Sequence, residues 1–317
     1  MFNSGPKKER SDSRESDDHV YLDYAATTPL DRTVFETMRP FFSEEFGNAS
    51  SIHQFGQAAQ QAVVQARQQT AEFLNCEPSE IIFNSGATEG NNTIIKGVGV
   101  SKKLAGGDLP HIIISQIEHD CVLAAAQAVE KQGFAEVTYL PVSAEGLVET
   151  EALKKAIRPN TVLISIMYAN NEIGTVQPIE EIGKLLAELN KNRQNKIYFH
   201  TDAVQAANYL DCDVRKLGVD YLSLSAHKFY GPKGVGALFV RKGVPFVKFF
   251  DGGEQEFKMR AGTHNAPGIV GLGAAISMIK NNNNGEIVWL RDKLIDGVLK
   301  NIPSASLNGS RDRRLAN

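Results

Sequence analysis

The sequence predicts an α/β protein: a mostly parallel sheet of seven strands with helices on both faces. Three observations lead there. From residue 80 onward, short β-rich runs alternate with helical stretches. Several of those runs, such as Ile112-Ile113-Ile114, are apolar without a break, as strands covered on both faces are. The polar residues that look out of place fall just past strand ends, where open α/β sheets bind ligands.

In chain order, residues 1–18 are dense in Lys, Arg, Asp, Glu and Ser with no apolar run, so they read as a disordered tail and not a secretory signal. In 51–74, Phe55, Ala58, Ala59, Ala62, Val63, Ala66 and Phe73 recur at helical spacing and predict an amphipathic helix. Strands are expected at 80–83, 111–115, 136–142, 161–167, 196–201, 221–227 and 236–240, with helices at 90–100, 120–132, 149–157 and 179–192. A loop rich in Gly and charge, 251–265, precedes helices at 268–280 and 286–301. The expected organisation is a large domain over 19–265 and the incomplete start of a small α+β domain over 266–317.

Composition excludes several function classes. With 42% hydrophobic and 22% charged residues and a formal net charge of −3, nothing points to nucleic acid or a membrane surface. No apolar run approaches the ~20 residues of a membrane span. Three cysteines, Cys76, Cys121 and Cys212, are too few and too scattered for a disulfide framework or a Cys-based zinc site. A reducing, cytoplasmic setting is expected.

The candidate chemistry lies at the strand ends. In 221–227, Leu222, Leu224 and Ala226 alternate with Ser223, Ser225 and His227, and Lys228 stands at the end of that strand before a Gly-Pro-Lys-Gly turn. A lysine there, flanked by Ser225 and His227, suits a Schiff base to a phosphate-bearing aldehyde, with the serine and histidine reaching the phosphate. After the first strand, 84–91 is a glycine-containing turn that opens a helix, and its N–H groups at Ala87 and Thr88 offer an anion site. His119 stands at the mouth of the next helix, Asn171 in a paired-asparagine turn, and Asp202 at the end of 196–201, with Gln205 close behind. A buried aspartate needs a cationic partner, and a protonated pyridine nitrogen would serve. Each of these residues also has a bland reading as a cap, turn former or surface group. Five strand ends of one sheet together supply what pyridoxal 5'-phosphate requires.

At these residues the chain resembles the NifS/IscS-like cysteine desulfurases of the class V aminotransferase group. The resemblance rests on Tyr21-Leu22-Asp23-Tyr24-Ala25-Ala26-Thr27-Thr28-Pro29, Ser85-Gly86-Ala87-Thr88-Glu89, Glu118-His119, Asn170-Asn171-Glu172-Ile173-Gly174, His200-Thr201-Asp202-Ala203-Val204-Gln205, Ser225-Ala226-His227-Lys228 and Arg260-Ala261-Gly262-Thr263. It implies the aspartate-aminotransferase-like fold (pyridoxal phosphate fold type I) and a homodimer that removes sulfur from L-cysteine, leaves L-alanine and passes a persulfide to an acceptor or scaffold protein. It implies that Lys228 and His119 are catalytic, Lys228 as the Schiff-base lysine and His119 stacked on the cofactor ring. It further implies that Asp202 holds the ring nitrogen, that Ala87, Thr88, Ser225 and His227 bind the phosphate, that Thr263 reaches the neighbouring subunit's phosphate, and that Asn171 and Gln205 address the ring hydroxyl and substrate. The low lysine pKa this needs is expected from burial beside positive charge.

The resemblance also implies a mobile-loop cysteine that carries the persulfide and an arginine that grips the substrate carboxylate, and neither motif occurs up to Asn317. The expected explanation is a truncated or incomplete form of a desulfurase. Cys121 is not expected to replace that nucleophile, because helical positions two apart, as 119 and 121 would be, diverge by about 200°. Two alternatives stand beside the desulfurase: another class V enzyme, such as a selenocysteine lyase or aminotransferase, and a non-catalytic subunit that binds the cofactor.

Overall fold

The computed structural model describes residues 20–104, 108–279 and 284–317. The tail expected at 1–18 and the last residue of the helix expected at 268–280 lie outside them. All seven expected strands are present: β1 (Ile81–Asn84), β2 (His111–Ser115), β3 (Glu136–Leu140), β4 (Thr161–Ser165), β5 (Tyr198–Asp202), β6 (Tyr221–Ser225) and β7 (Gly236–Val240). They form one sheet in the order β1-β7-β6-β5-β4-β2-β3. β7 runs antiparallel to both neighbours and every other pairing is parallel. The carboxyl ends of β1, β2, β4, β5 and β6 therefore share one edge.

The helices are α1 (Arg32–Met38), α2 (Gln54–Leu74), α3 (Ala87–Leu104), α4 (Asp120–Lys131), α5 (Thr150–Ala156), α6 (Ile179–Asn190), α7 (Val214–Leu217), α8 (Ala266–Ile279) and α9 (Gly285–Asn301). They cover both faces of the sheet. Phe83, Ile113, Phe199, Leu222 and Phe239 pack with α2, α6 and α8 on one side. Ile82, Ile112, Ile114 and Leu238 pack with α3 and α4 on the other. Core side chains such as Ile113, Ile112 and Ile164 are fully buried, each contributing roughly 1.5–3 kcal/mol against exposure.

Three expected strands, 136–142, 161–167 and 221–227, end two residues early. The apolar pattern continues past the last ladder bond, so periodicity does not mark the end. His227 is thereby corrected from a strand residue to one in a 3-10 turn, Ala226–Lys228. The turn forms because the Ala226 carbonyl receives two N–H groups, from Phe229 at 3.1 Å and Gly231 at 3.0 Å, so the chain curls around it. The helix expected from 90 starts at Ala87. Helices α1 and α7 are too short to show a period. Their capping residues Asp31 and Asp213 each accept two N–H bonds from the first turn.

Asn170 to Val176 is held by the C-terminal residues. The Thr175–Arg314 bridge and the Leu315 N–H on the Gly174 carbonyl, 2.9 Å, join it to the last residues of the chain. Helix α8 packs into the main core, whereas α9 has no buried residue.

Glycine is needed where β7 meets β6 and the turn after β1. A Cβ on Gly236 would lie 2.4 Å from the Leu224 carbonyl oxygen and 2.6 Å from the Gly86 Cα. Gly236→Ala is expected to lower stability by about 1–3 kcal/mol, the usual cost of overpacking. Denaturant titration checks this, and an unchanged midpoint contradicts it.

Candidate active site

A cavity of about 400 Å³ opens at the shared carboxyl edge. Ala87, Thr88, His119, Asn171, Asp202, Gln205, Ser225, His227 and Lys228 all line it. The remaining sequence-predicted residue, Thr263, lines an adjoining cavity, with Ser85 and Gly234 common to both.

Lys228 reaches the cavity from the 3-10 turn after β6. Its Nζ donates to the Ala25 carbonyl at 2.5 Å and the Ala26 carbonyl at 2.8 Å. Burial holds its pKa below the ordinary lysine range, while Asp202 and Asp23 pull it up. The expectation that neighbouring positive charge would contribute is corrected: the charges that act on this amine are carboxylates, and burial outweighs them.

The residues around 25–28 form an arm locked onto the lysine turn. Thr28 donates its N–H at 2.9 Å and its hydroxyl at 3.0 Å to the His227 carbonyl, and its hydroxyl oxygen accepts the Tyr230 N–H at 2.7 Å. Tyr230 has φ 64°, a left-handed conformation that costs a non-glycine residue energy and that these bonds hold in place.

Asp202 closes β5 and is buried. Its Oδ2 accepts the Asn91 amide at 2.6 Å and its Oδ1 accepts the Val204 N–H at 3.0 Å. Burial raises its pKa, against these bonds and the charges of His119 and Lys228. A carboxylate in that state gains from a cationic N–H arriving through the cavity. Glu118, at the end of the segment after β2, is also buried. Its Oε1 accepts the Ser115 hydroxyl at 2.6 Å and the Met167 N–H at 2.8 Å, so one carboxyl ties the ends of β2 and β4 together. Burial pushes its pKa up to about 8.

The same cavity also carries groups that suit an anion. Ala87 and Thr88 open α3, so their N–H groups lack intrahelical partners and carry the positive end of the helix dipole. Gly86 has φ +140°, and its N–H is donated to Asn84 Oδ1 at 3.0 Å, which sets the entry into the helix. Glu89 would oppose an anion there, but Arg260 neutralises it through contacts of 3.0 and 3.3 Å. His227 adds a ring nitrogen, with Nδ1 3.1 Å from Thr27 Oγ1. Burial and then the charges of Lys228 and Lys233 hold its pKa down.

Amine, buried carboxylate and anion cradle together fit pyridoxal phosphate: an aldehyde carbon, a protonated ring nitrogen and a phosphate. Among the described residues no group of three His, Cys, Asp or Glu could hold a metal, and no helix is long and apolar enough to cross a membrane.

The class-V aminotransferase model matches residues 20–315. This chain belongs to that family. Cysteine desulfurase IscS of Dictyoglomus turgidum is 51% identical to it over 301 residues, which are 94% of this chain and 74% of that one. A solved NifS-like protein superposes with a TM-score of 0.88 at 39% identity, covering 94% of this chain and 80% of its own. A structure of SspA in complex with cysteine gives 0.80 at 44% identity, covering 87% and 77%. The α/β fold with its seven-stranded, mostly parallel sheet is the one expected, and it is the fold of these family neighbours.

Sequence reasoning missed Thr27, Asn91, Met167, Val204 and Lys233. Thr27, Met167, Val204 and Lys233 line the cavity, and Asn91 stands behind it on Asp202. Thr27 lies within a stretch that carried the resemblance, yet nothing in the stretch itself says that it folds back on residue 227. Cys121 corrects an argument. It lines the cavity with its sulfur 3.1 Å from His119 Nδ1. His119 is the N-cap of α4, with extended backbone, so the helical divergence of positions 119 and 121 does not apply.

Proposed function

We propose that this protein is a pyridoxal-phosphate-dependent cysteine desulfurase that takes L-cysteine to L-alanine and passes the sulfur to a thiol acceptor. The observation that carries the reading is one cavity lined together by the Lys228 amine, the buried Asp202 carboxylate and the α3 N-terminus. Its relatives named as cysteine desulfurases support it, as does the neighbour solved with cysteine.

Pyridoxal phosphate, when bound, supplies an aldehyde carbon and a ring that withdraws electrons from the substrate Cα. The chain's residues do the rest. Asp202 would hold the ring nitrogen, and Ala87, Thr88, Ser225 and His227 the phosphate. Asn171 and Gln205 would face the ring hydroxyl and substrate, and His119 would lie on the ring. Lys228, its pKa lowered by burial, is poised to take the Cα proton and return it. Thr263, facing a separate cavity, would serve the phosphate of a second copy in a homodimer.

Sulfur capture needs a thiolate. Burial raises the pKa of all three thiols, Cys76 to about 12 and Cys121 to about 11, with Cys212 pushed furthest, so none is poised for that step. The reading therefore assigns sulfur capture to a thiol other than these three. With a small thiol as acceptor, the holoprotein is expected to form alanine from L-cysteine in step with acceptor-bound sulfur. Asp202→Asn should lower that rate about 10²–10³-fold, the range for losing one pre-placed electrostatic partner. Alanine formation that withstands this change would count against the role given to Asp202.

A further inference from the structure

The ring of His119 is oriented by groups the proposed chemistry does not use. Its Nδ1 accepts the backbone N–H of Cys121 at 3.2 Å. A backbone N–H only donates, so Nδ1 carries a lone pair, and the proton of the neutral ring sits on Nε2. The thiol of Cys121, 3.1 Å from the same nitrogen, is oriented from its far side. Asn91 Nδ2 donates to Cys121 Sγ at 3.2 Å and to Asp202 Oδ2 at 2.6 Å. An amide nitrogen has only hydrogens to offer, so the sulfur accepts from Asn91 and its own hydrogen is left to point at Nδ1.

We propose that Asn91, donating both to Asp202 and to Cys121, and the Cys121 thiol, donating on to His119, form a hydrogen-bond bridge between Asp202 and His119. With the Cys121 backbone N–H, this bridge fixes His119 as the Nε2–H tautomer and presents it to the cavity as a proton donor. The burial that pushes the thiol up to about 11 keeps the bridging hydrogen on sulfur. Thr88 is a further polar neighbour of that sulfur, and its hydroxyl can donate there without displacing the hydrogen aimed at Nδ1. Asn91 and Cys121 are positioning residues in this arrangement: the backbone N–H of Cys121 sets which nitrogen of His119 is protonated, and the Asn91–Cys121 side chains add a second donor to the same Nδ1. What the Nε2 proton serves rests on the desulfurase reading, whereas the tautomer does not.

The test is nitrogen NMR on the cofactor-free chain with ring-labelled histidine, at an alkaline pH where the imidazole is neutral. The chain has seven histidines, so His119 is assigned by the signals lost in His119→Gln. The expected result is an unprotonated Nδ1 and a protonated Nε2. In Cys121→Ala, the Nδ1 resonance should move, because one of two donors is gone, while the tautomer stays. Cys121→Ser should move it less, and carries the comparison if the alanine variant does not fold. A proton on Nδ1, or averaging over both nitrogens, overturns the assignment. An Nδ1 resonance unmoved in both variants overturns the bridge. Failure of the desulfurase reading would appear separately, in the alanine assay, with this spectrum unchanged.

Discussion

Lys228→Ala is expected to lower alanine formation by about 10⁴-fold, the upper range for removing a positioned acid–base group, and to abolish the covalent hold on the cofactor. The expectation follows from where the amine is kept. Its hydrogen bonds go to the backbone carbonyls of Ala25 and Ala26, and among the described residues no side-chain carboxylate neutralises it at hydrogen-bond range. Burial depresses its pKa, and the free base is therefore available at lower pH than in an exposed lysine. Cofactor uptake should accordingly rise with pH through a midpoint below the ordinary lysine value. Lys233 lines the same cavity, and a Lys228→Ala chain that kept most of its turnover would transfer the role there.

Arg67→Ala should cost about 3–5 kcal/mol of stability, the penalty for stranding one member of a buried ion pair. Arg67 binds Glu256 through two nitrogens, at 2.8 and 2.6 Å, and the two side chains are 9% and 2% exposed. Glu256 also accepts the Phe83 N–H of β1 at 2.8 Å and sits 2.8 Å from His264 Nε2. Its carboxyl thus fastens the 251–265 loop to α2 and to the sheet, beside three successive left-handed residues, Glu256, Phe257 and Lys258. Burial by itself would raise the Glu256 pKa, but His264, Arg67 and the Phe83 N–H together hold it below the usual carboxylate range. A depressed carboxyl pKa stabilises the fold above the unfolded value and loses that contribution as pH falls through the folded value. Denaturant titration should therefore show wild type losing stability on acidification and Arg67→Ala losing less. Equal midpoints for the two at neutral pH would contradict the account.

The strands were legible because burial on both faces leaves an uninterrupted apolar run, and β2 and β7 have the bounds expected from it. Ends set by a turn were not, since the alternation in 221–227 continues past the last sheet bond. Asp202 and Lys228 could be found as polar residues closing apolar strands. The partners of Lys228 could not, because Ala25 and Ala26 contribute only carbonyls, about two hundred residues away in the chain. Arg67 stayed hidden among the glutamines of α2, where a charged residue reads as solvated until Glu256 is seen opposite. The nearness of Cys121 to His119 was missed because a rule for helix interiors was applied to an N-cap.

Borohydride reduction of the cofactor-loaded chain, followed by peptide mapping, tests the central claim most directly. The prediction is a single reduced pyridoxyl adduct on Lys228, absent from Lys228→Ala. An adduct on Lys233, or one that persists in Lys228→Ala, would contradict it.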